Sequence, residues 1–294
     1  MRAAPPLLAL VFAAAALGGC RTAERERVEA RADTLAVAPR LRSDTAEAFR
    51  AFDGVPGAFV VVDTARADTF ALGDTRVRSL PASTYKIPHT LLALTLGRDT
   101  SATFAYDAAR DPKQAWWPDD WAQDQTLASA FRHSAVWAYQ DLARQIGRDT
   151  AQAWLDSLAY GNATIGLAVD RYWLDGSLRV SPREQVTFVE DLFAHRLPAT
   201  AAQHDAVVRL MRLRTGADWV LYGKTGTSGP EANERVSWLV GAARVGSVAD
   251  SGGFVYPFAL RIRPRSDAEA WTREQRLDRA ERLLRAAGVL PAAD

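Results

Sequence analysis

Ser83 and Lys86 stand three residues apart at the start of an apolar helical stretch. That spacing puts a hydroxyl and an amine on one helix face. Serine is a weak nucleophile until a base within hydrogen-bond reach takes its proton, so the lysine is a candidate base. A serine at a helix start also lies at the positive end of the helix dipole, beside free backbone N–H groups able to stabilise a developing oxyanion. A plain helix cap accounts equally for Ser83 taken alone. Lys224-Thr225-Gly226 adds a cation, a hydroxyl and a glycine that permits close backbone approach, a set suited to an anionic substrate. By itself that triplet is an ordinary turn after an apolar strand. Histidines at 89, 133, 195 and 204 lack zinc-site spacing, and no acidic calcium loop is visible. The chemistry such a pair could do is nucleophilic attack by a serine that the lysine activates.

The elements that must hold these residues follow from periodicity. Phe59-Val60-Val61-Val62-Asp63 and Thr69-Phe70-Ala71-Leu72, with Gly73-Asp74 after them, predict a strand hairpin. Residues 84–97 predict a helix with Leu91, Leu92, Leu94 and Leu96 as its apolar body. Residues 100–210 mix helices and loops, with helical period at 127–131 and 154–158. Segments 219–222, 236–240 and 254–260 predict three strands, and 268–287 a last helix bearing Leu277, Ala280, Leu283, Leu284 and Ala287 on one face. Strands at both ends with helices between predict an α/β (α+β) fold. One antiparallel sheet would be flanked by N- and C-terminal helices, with a helical insertion on one side and a cleft at the junction.

Composition fits an ordinary folded core: 48% of the 294 residues are hydrophobic and 24% charged. The formal charge of +1 excludes a globally basic nucleic-acid binder. One cysteine excludes an intramolecular disulfide. Arg2 and the apolar run from Leu7 to Leu17 read as a signal peptide, and Leu17-Gly18-Gly19-Cys20 resembles a bacterial lipobox, in which Cys20 becomes the lipidated first mature residue. An ordinary signal peptide with an incidental cysteine is the alternative. The expected organisation is a signal peptide at 1–19, a flexible tether at 20–45 and the catalytic domain at 46–294, exported to the periplasm and anchored to a membrane.

Further motifs lie between the first two. They are Ser134-Ala135-Val136, Tyr160-Gly161-Asn162 and Tyr172-Trp173-Leu174-Asp175-Gly176, together with Asp124-Gln125-Thr126-Leu127 and Leu178-Arg179-Val180-Ser181. With Ser83-Thr84-Tyr85-Lys86 and Lys224-Thr225-Gly226 in this order, residues 50–290 resemble the class D β-lactamases, of the penicillin-recognising serine hydrolase fold. The resemblance implies that Ser83 opens the β-lactam ring as nucleophile and that Lys86 is the base, carboxylated by carbon dioxide or bicarbonate, with no separate cofactor. Only a neutral amine attacks carbon dioxide, and an apolar pocket lowers a lysine's pKa; Val136, Trp173 and Leu174 are candidates for that pocket. Trp173 would donate its indole N–H to the modified lysine, although a core tryptophan is the bland reading of that residue. Ser134, beside Lys224, would relay a proton to the leaving nitrogen. The backbone N–H groups of Ser83 and Thr227 would form the oxyanion hole. Counting back from Gly288 places the carboxylate-binding arginine at Arg276, with Arg273 as fallback. Trp121 would line the substrate entrance or simply pack, and Tyr160-Gly161-Asn162 would shape the cleft wall.

Tyr85 replaces the family's more frequent phenylalanine, and Ser-Asp-Asn, expected of the cell-wall enzymes of the superfamily, is absent. The competing readings are a non-hydrolysing β-lactam sensor, a penicillin-binding protein, and a binding module that has lost activity. Small-molecule β-lactams are the expected partners; monomer and homodimer both stay open.

Overall fold

The computed structural model describes residues 39–42, 44–229, 232–246, 253–266 and 269–292. Helix α1 (Thr45–Arg50) is capped by the Asp44 carboxylate, which accepts from the Glu47 N–H at 3.0 Å. Strands β1 (Gly57–Asp63) and β2 (Asp68–Leu72) form the expected hairpin, with Phe59 opposite Leu72. A 3₁₀ turn at Ala82–Tyr85 runs directly into helix α2 (Lys86–Thr95). Two short strands, β3 (Thr103–Phe104) and β4 (Gln125–Thr126), pair with each other. The helical insertion continues with α3 (Leu127–His133), α4 (Val136–Ile146), α5 (Arg148–Leu158), α6 (Pro182–Phe193) and α7 (Ala201–Leu210). Strands β5 (Arg212–Thr215), β6 (Trp219–Thr227), β7 (Ser237–Val245) and β8 (Phe254–Ile262) follow, and helix α8 (Arg273–Ala286) closes the fold.

The main sheet has the order β2-β1-β8-β7-β6-β5, and every neighbouring pair is antiparallel. The two ends of the chain therefore meet at its centre, where Val60 lies opposite Ala259. Successive side chains on a strand point to opposite faces. Val60 accordingly joins a core with Leu91, Trp137, Trp173 and Trp238 on the insertion side. Phe59 and Val61 join Leu260, Leu277, Leu283 and Leu284 on the side of α1 and α8. Each fully buried Val, Leu or Phe contributes roughly 1.5–3 kcal/mol, so this two-sided burial is what holds the central strands.

Two boundaries differ from the expectation. The tether was placed at 20–45, but the Arg42 N–H donates to the Ala287 carbonyl at 2.9 Å, the Tyr256 hydroxyl donates to the Pro39 carbonyl, and α1 already begins at Thr45. Residues 39–42, 44 and 45 thus belong to the folded body, held by contacts that a composition-based reading overlooks. The signal peptide, Cys20 and the rest of the tether lie outside the described residues. Lys224-Thr225-Gly226 does not follow a strand but lies within one. Gly223 and Gly226 are poor strand formers, and their pairing with Gly241 and Trp238 of β7 carries β6 on to Thr227. Among the described residues no helix is long and apolar enough to cross a membrane.

Candidate active site

The turn at the head of α2 is built under tension. Ala82 has φ +47°, a left-handed conformation costly for a residue with a Cβ, and its N–H donates to the Trp173 carbonyl at 3.0 Å. The next residue is Ser83, followed by Lys86 on the same face, and the Lys86 Nζ donates to the Ser83 Oγ at 3.1 Å. A buried polar chain supports this turn from α6. Gln185 donates to the Thr84 hydroxyl at 2.9 Å, and Thr84 in turn donates to the Pro81 carbonyl at 2.7 Å. The Tyr160 hydroxyl donates to the Gln185 carbonyl oxygen at 2.9 Å. Tyr160 therefore acts on the site through packing and hydrogen bonds rather than by contact with the reacting groups.

Lys86 is 1% exposed. Its amine lies 4.9 Å from the centre of the Tyr139 ring, and burial lowers its pKa from 10.5 to about 7. The Trp173 ring stacks on Tyr85 at 5.8 Å and meets Tyr172 edge-on at 5.0 Å. Val136 and Leu174, half-buried, pack against the same core. Tyr85, His89 and Tyr139 are further walls that motif reading overlooked. The signal was present, since His89 lies three residues after Lys86 and Tyr139 three after Val136, each pair sharing a helix face.

Asn162 holds the Trp173 loop in place. Its side chain donates to the Ser177 carbonyl at 2.8 Å and accepts from the Arg179 N–H at 2.8 Å. Gly161 has φ +60°, and a Cβ there would lie 2.1 Å from the Arg179 carbonyl oxygen. Gly161→Ala is expected to destabilise the protein by at least ~2 kcal/mol, lowering Tm by roughly 4–8 °C in a thermal melt.

Ser134 lies opposite Ser83's turn, between α3 and α4, with φ +66°. This left-handed break ends α3 and presents the hydroxyl to β6, where Lys224 Nζ donates to the Ser134 Oγ at 2.9 Å. Trp121 is buried beneath this break. Its indole donates to the His133 carbonyl at 2.8 Å, and its own carbonyl accepts from Trp137 at 2.7 Å. Of the two readings of Trp121, packing is the one these bonds describe. Burial pushes Lys224 well below its usual pKa, and repulsion from Lys86, Arg276 and Arg273 adds to this. A carboxylate bound beside it would reverse that repulsion.

Gly226 brings β6 against the nucleophile turn. A Cβ there would lie 2.9 Å from the Pro81 carbonyl oxygen and 3.1 Å from the Thr84 nitrogen. Thr225 is half-buried and Thr227 exposed, and the Thr227 hydroxyl accepts a hydrogen bond from Arg276. Arg276, buried on α8, also donates to the Gly226 carbonyl at 3.0 Å. Arg273 is exposed and paired with Glu274 at 2.8 Å. Of the two candidate arginines, the one facing the Lys-Thr-Gly strand is therefore Arg276. Among the described residues, Lys86 and Lys224 bond to serine hydroxyls and Arg276 to the Gly226 carbonyl and the Thr227 hydroxyl, rather than to a carboxylate.

The family described as "Penicillin binding protein transpeptidase domain" matches residues 57–248. Beta-lactamase OXA-3 of Pseudomonas aeruginosa is 38% identical over 208 residues, covering 69% of this chain and 72% of the relative. The chain belongs to the class D β-lactamases. The probable beta-lactamase YbxI of Bacillus subtilis is 34% identical over 209 residues, covering 70% of this chain and 74% of the relative. Among solved structures, a class D β-lactamase from Nostoc superposes with a TM-score of 0.72 at 31% identity, covering 83% of this chain and 99% of the other. FUS-1 (OXA-85) of Fusobacterium nucleatum superposes with a TM-score of 0.72 at 28% identity, covering 86% and 100%.

Proposed function

We propose that this class D β-lactamase hydrolyses β-lactams through an acyl-enzyme on Ser83. The observation that carries the reading is the 3.1 Å contact between Ser83 Oγ and a buried Lys86 whose pKa lies at about 7. Lys86 takes the serine proton as Oγ adds to the lactam carbonyl carbon. Backbone N–H groups of Ser83 and Thr227 receive the developing oxyanion. The ring C–N bond then breaks, the nitrogen takes a proton from Ser134, which Lys224 holds, and the proton taken up at Lys86 passes back to Ser134. Water cleaves the ester and returns Ser83 to its hydroxyl form. Arg276 and Lys224 hold the substrate carboxylate.

Carbon dioxide fits at Lys86. A neutral amine adds to its carbon, forming an N–C bond and releasing one proton, and the modified side chain is an anionic base beside Ser83. The site supports this assignment, because about half of the amine is neutral at pH 7 and the buried Trp173 Nε1 has no partner among the described residues. No separate cofactor is needed. The test is a time course with a chromogenic cephalosporin, with and without bicarbonate. Sustained turnover that bicarbonate raises is expected; a stoichiometric burst that stops would instead identify a sensor and overturn the reading.

Arg276→Ala is expected to raise KM for a penicillin about 10–100-fold with little change in kcat, since one charged hydrogen-bond donor set to the carboxylate is lost. Steady-state kinetics on a penicillin check this. Export and anchoring through a lipid on Cys20 belong to the same reading. Cys20→Ser should move the protein from the membrane fraction to the soluble fraction.

A further inference from the structure

His89 is 1% exposed, yet neither ring nitrogen has a hydrogen-bond partner among the described residues. It is the fourth residue of α2, of which Lys86 is the first, so the two side chains share a helix face. Its ring is enclosed by Tyr85 at 5.4 Å, Trp173 at 5.4 Å and Tyr139 at 5.5 Å, and the Tyr139 ring also lies 4.9 Å from the lysine amine. A leucine or methionine would fill such a space without leaving polar atoms unpaired, and buried unpaired polar atoms destabilise a fold. An imidazole there points to a ligand that arrives at Lys86. Burial, with the nearby lysine charge adding to it, lowers the His89 pKa to about 3, so the ring is neutral and carries one donor and one acceptor. The head of a carboxylated lysine carries one N–H donor and two acceptor oxygens. The Trp173 indole can only donate, so it cannot satisfy that N–H.

We propose that His89 is a positioning residue for carboxylated Lys86, hydrogen-bonding the modified head and holding it against Ser83. The inference rests on the carboxylation reading given above. It is tested on the purified protein with ¹³C-labelled bicarbonate, following the carbamate carbon signal as bicarbonate is raised. His89→Leu is expected to need about tenfold more bicarbonate for half-occupancy, while His89→Asn, which keeps a donor and an acceptor, stays close to the parent protein. The kcat of His89→Leu should be low in ambient air and recover with bicarbonate, with KM for a penicillin unchanged. Equal half-occupancy in His89→Leu and the parent protein would overturn the proposal. Absence of any carbamate signal in the parent protein would overturn the carboxylation reading, and this inference with it. Should the leucine variant not fold, the parent protein labelled with ¹⁵N-histidine decides. The His89 ring resonances, assigned with His89→Asn, should shift on bicarbonate addition, and unchanged resonances would overturn the role.

Discussion

Ser83→Ala is expected to lower kcat for penicillins by at least about four orders of magnitude and to abolish the covalent adduct. The change removes one oxygen from a turn whose geometry is held elsewhere, by the Ala82–Trp173 backbone bond and the Gln185–Thr84–Pro81 chain. The variant should therefore fold and still bind substrate, because Lys224 and Arg276 are untouched. Intact-protein mass spectrometry separates the outcomes. The parent protein should gain the mass of an opened penicillin and the variant should gain nothing. An adduct on the alanine variant would remove Ser83 from the mechanism.

Lys86→Ala is expected to slow both acylation and deacylation, lowering kcat/KM on the order of 10³–10⁴-fold. The magnitude follows from what burial does to this amine. An ordinary lysine is neutral in only about 0.03% of molecules at pH 7, whereas one titrating near 7 is neutral in about half of them. Burial thus raises the concentration of neutral amine, the form that adds carbon dioxide, by about three orders of magnitude. The sign is set by the same fact. Protonation removes the base, so activity is lost as pH falls through the lysine's pKa of about 7, with kcat/KM decreasing up to tenfold per unit below it. Carboxylation depends on the neutral amine as well and loses ground in the same direction. A pH–rate profile of the parent protein checks this limb, and full turnover by Lys86→Ala would sink the assignment.

The motifs were legible because the chemistry demands residue types at short spacings: a hydroxyl and an amine on one helix face, a glycine where a strand meets a turn. The paired ends of the sheet were legible for a similar reason. β-Branched and aromatic runs at 59–62 and 254–260 read as strands at opposite ends of the chain, and they pair side by side in the sheet. Less legible were Tyr85, Tyr139 and His89, since a helical aromatic ordinarily reads as core and nothing local says which buried ring touches an amine.

By itself the sequence determined the family, the placing of Ser83 and Lys86 on one face, the order of elements and the α/β class, all of which depend on local pattern. Tertiary structure decided the remainder. It brought Ser134 to Lys224 across 90 residues, chose Arg276 over Arg273, carried β6 through two glycines, and enclosed Lys86 deeply enough to make it a base. Each of those outcomes depends on burial and on contact between segments distant in the chain, and neither is a property of any short stretch of residues.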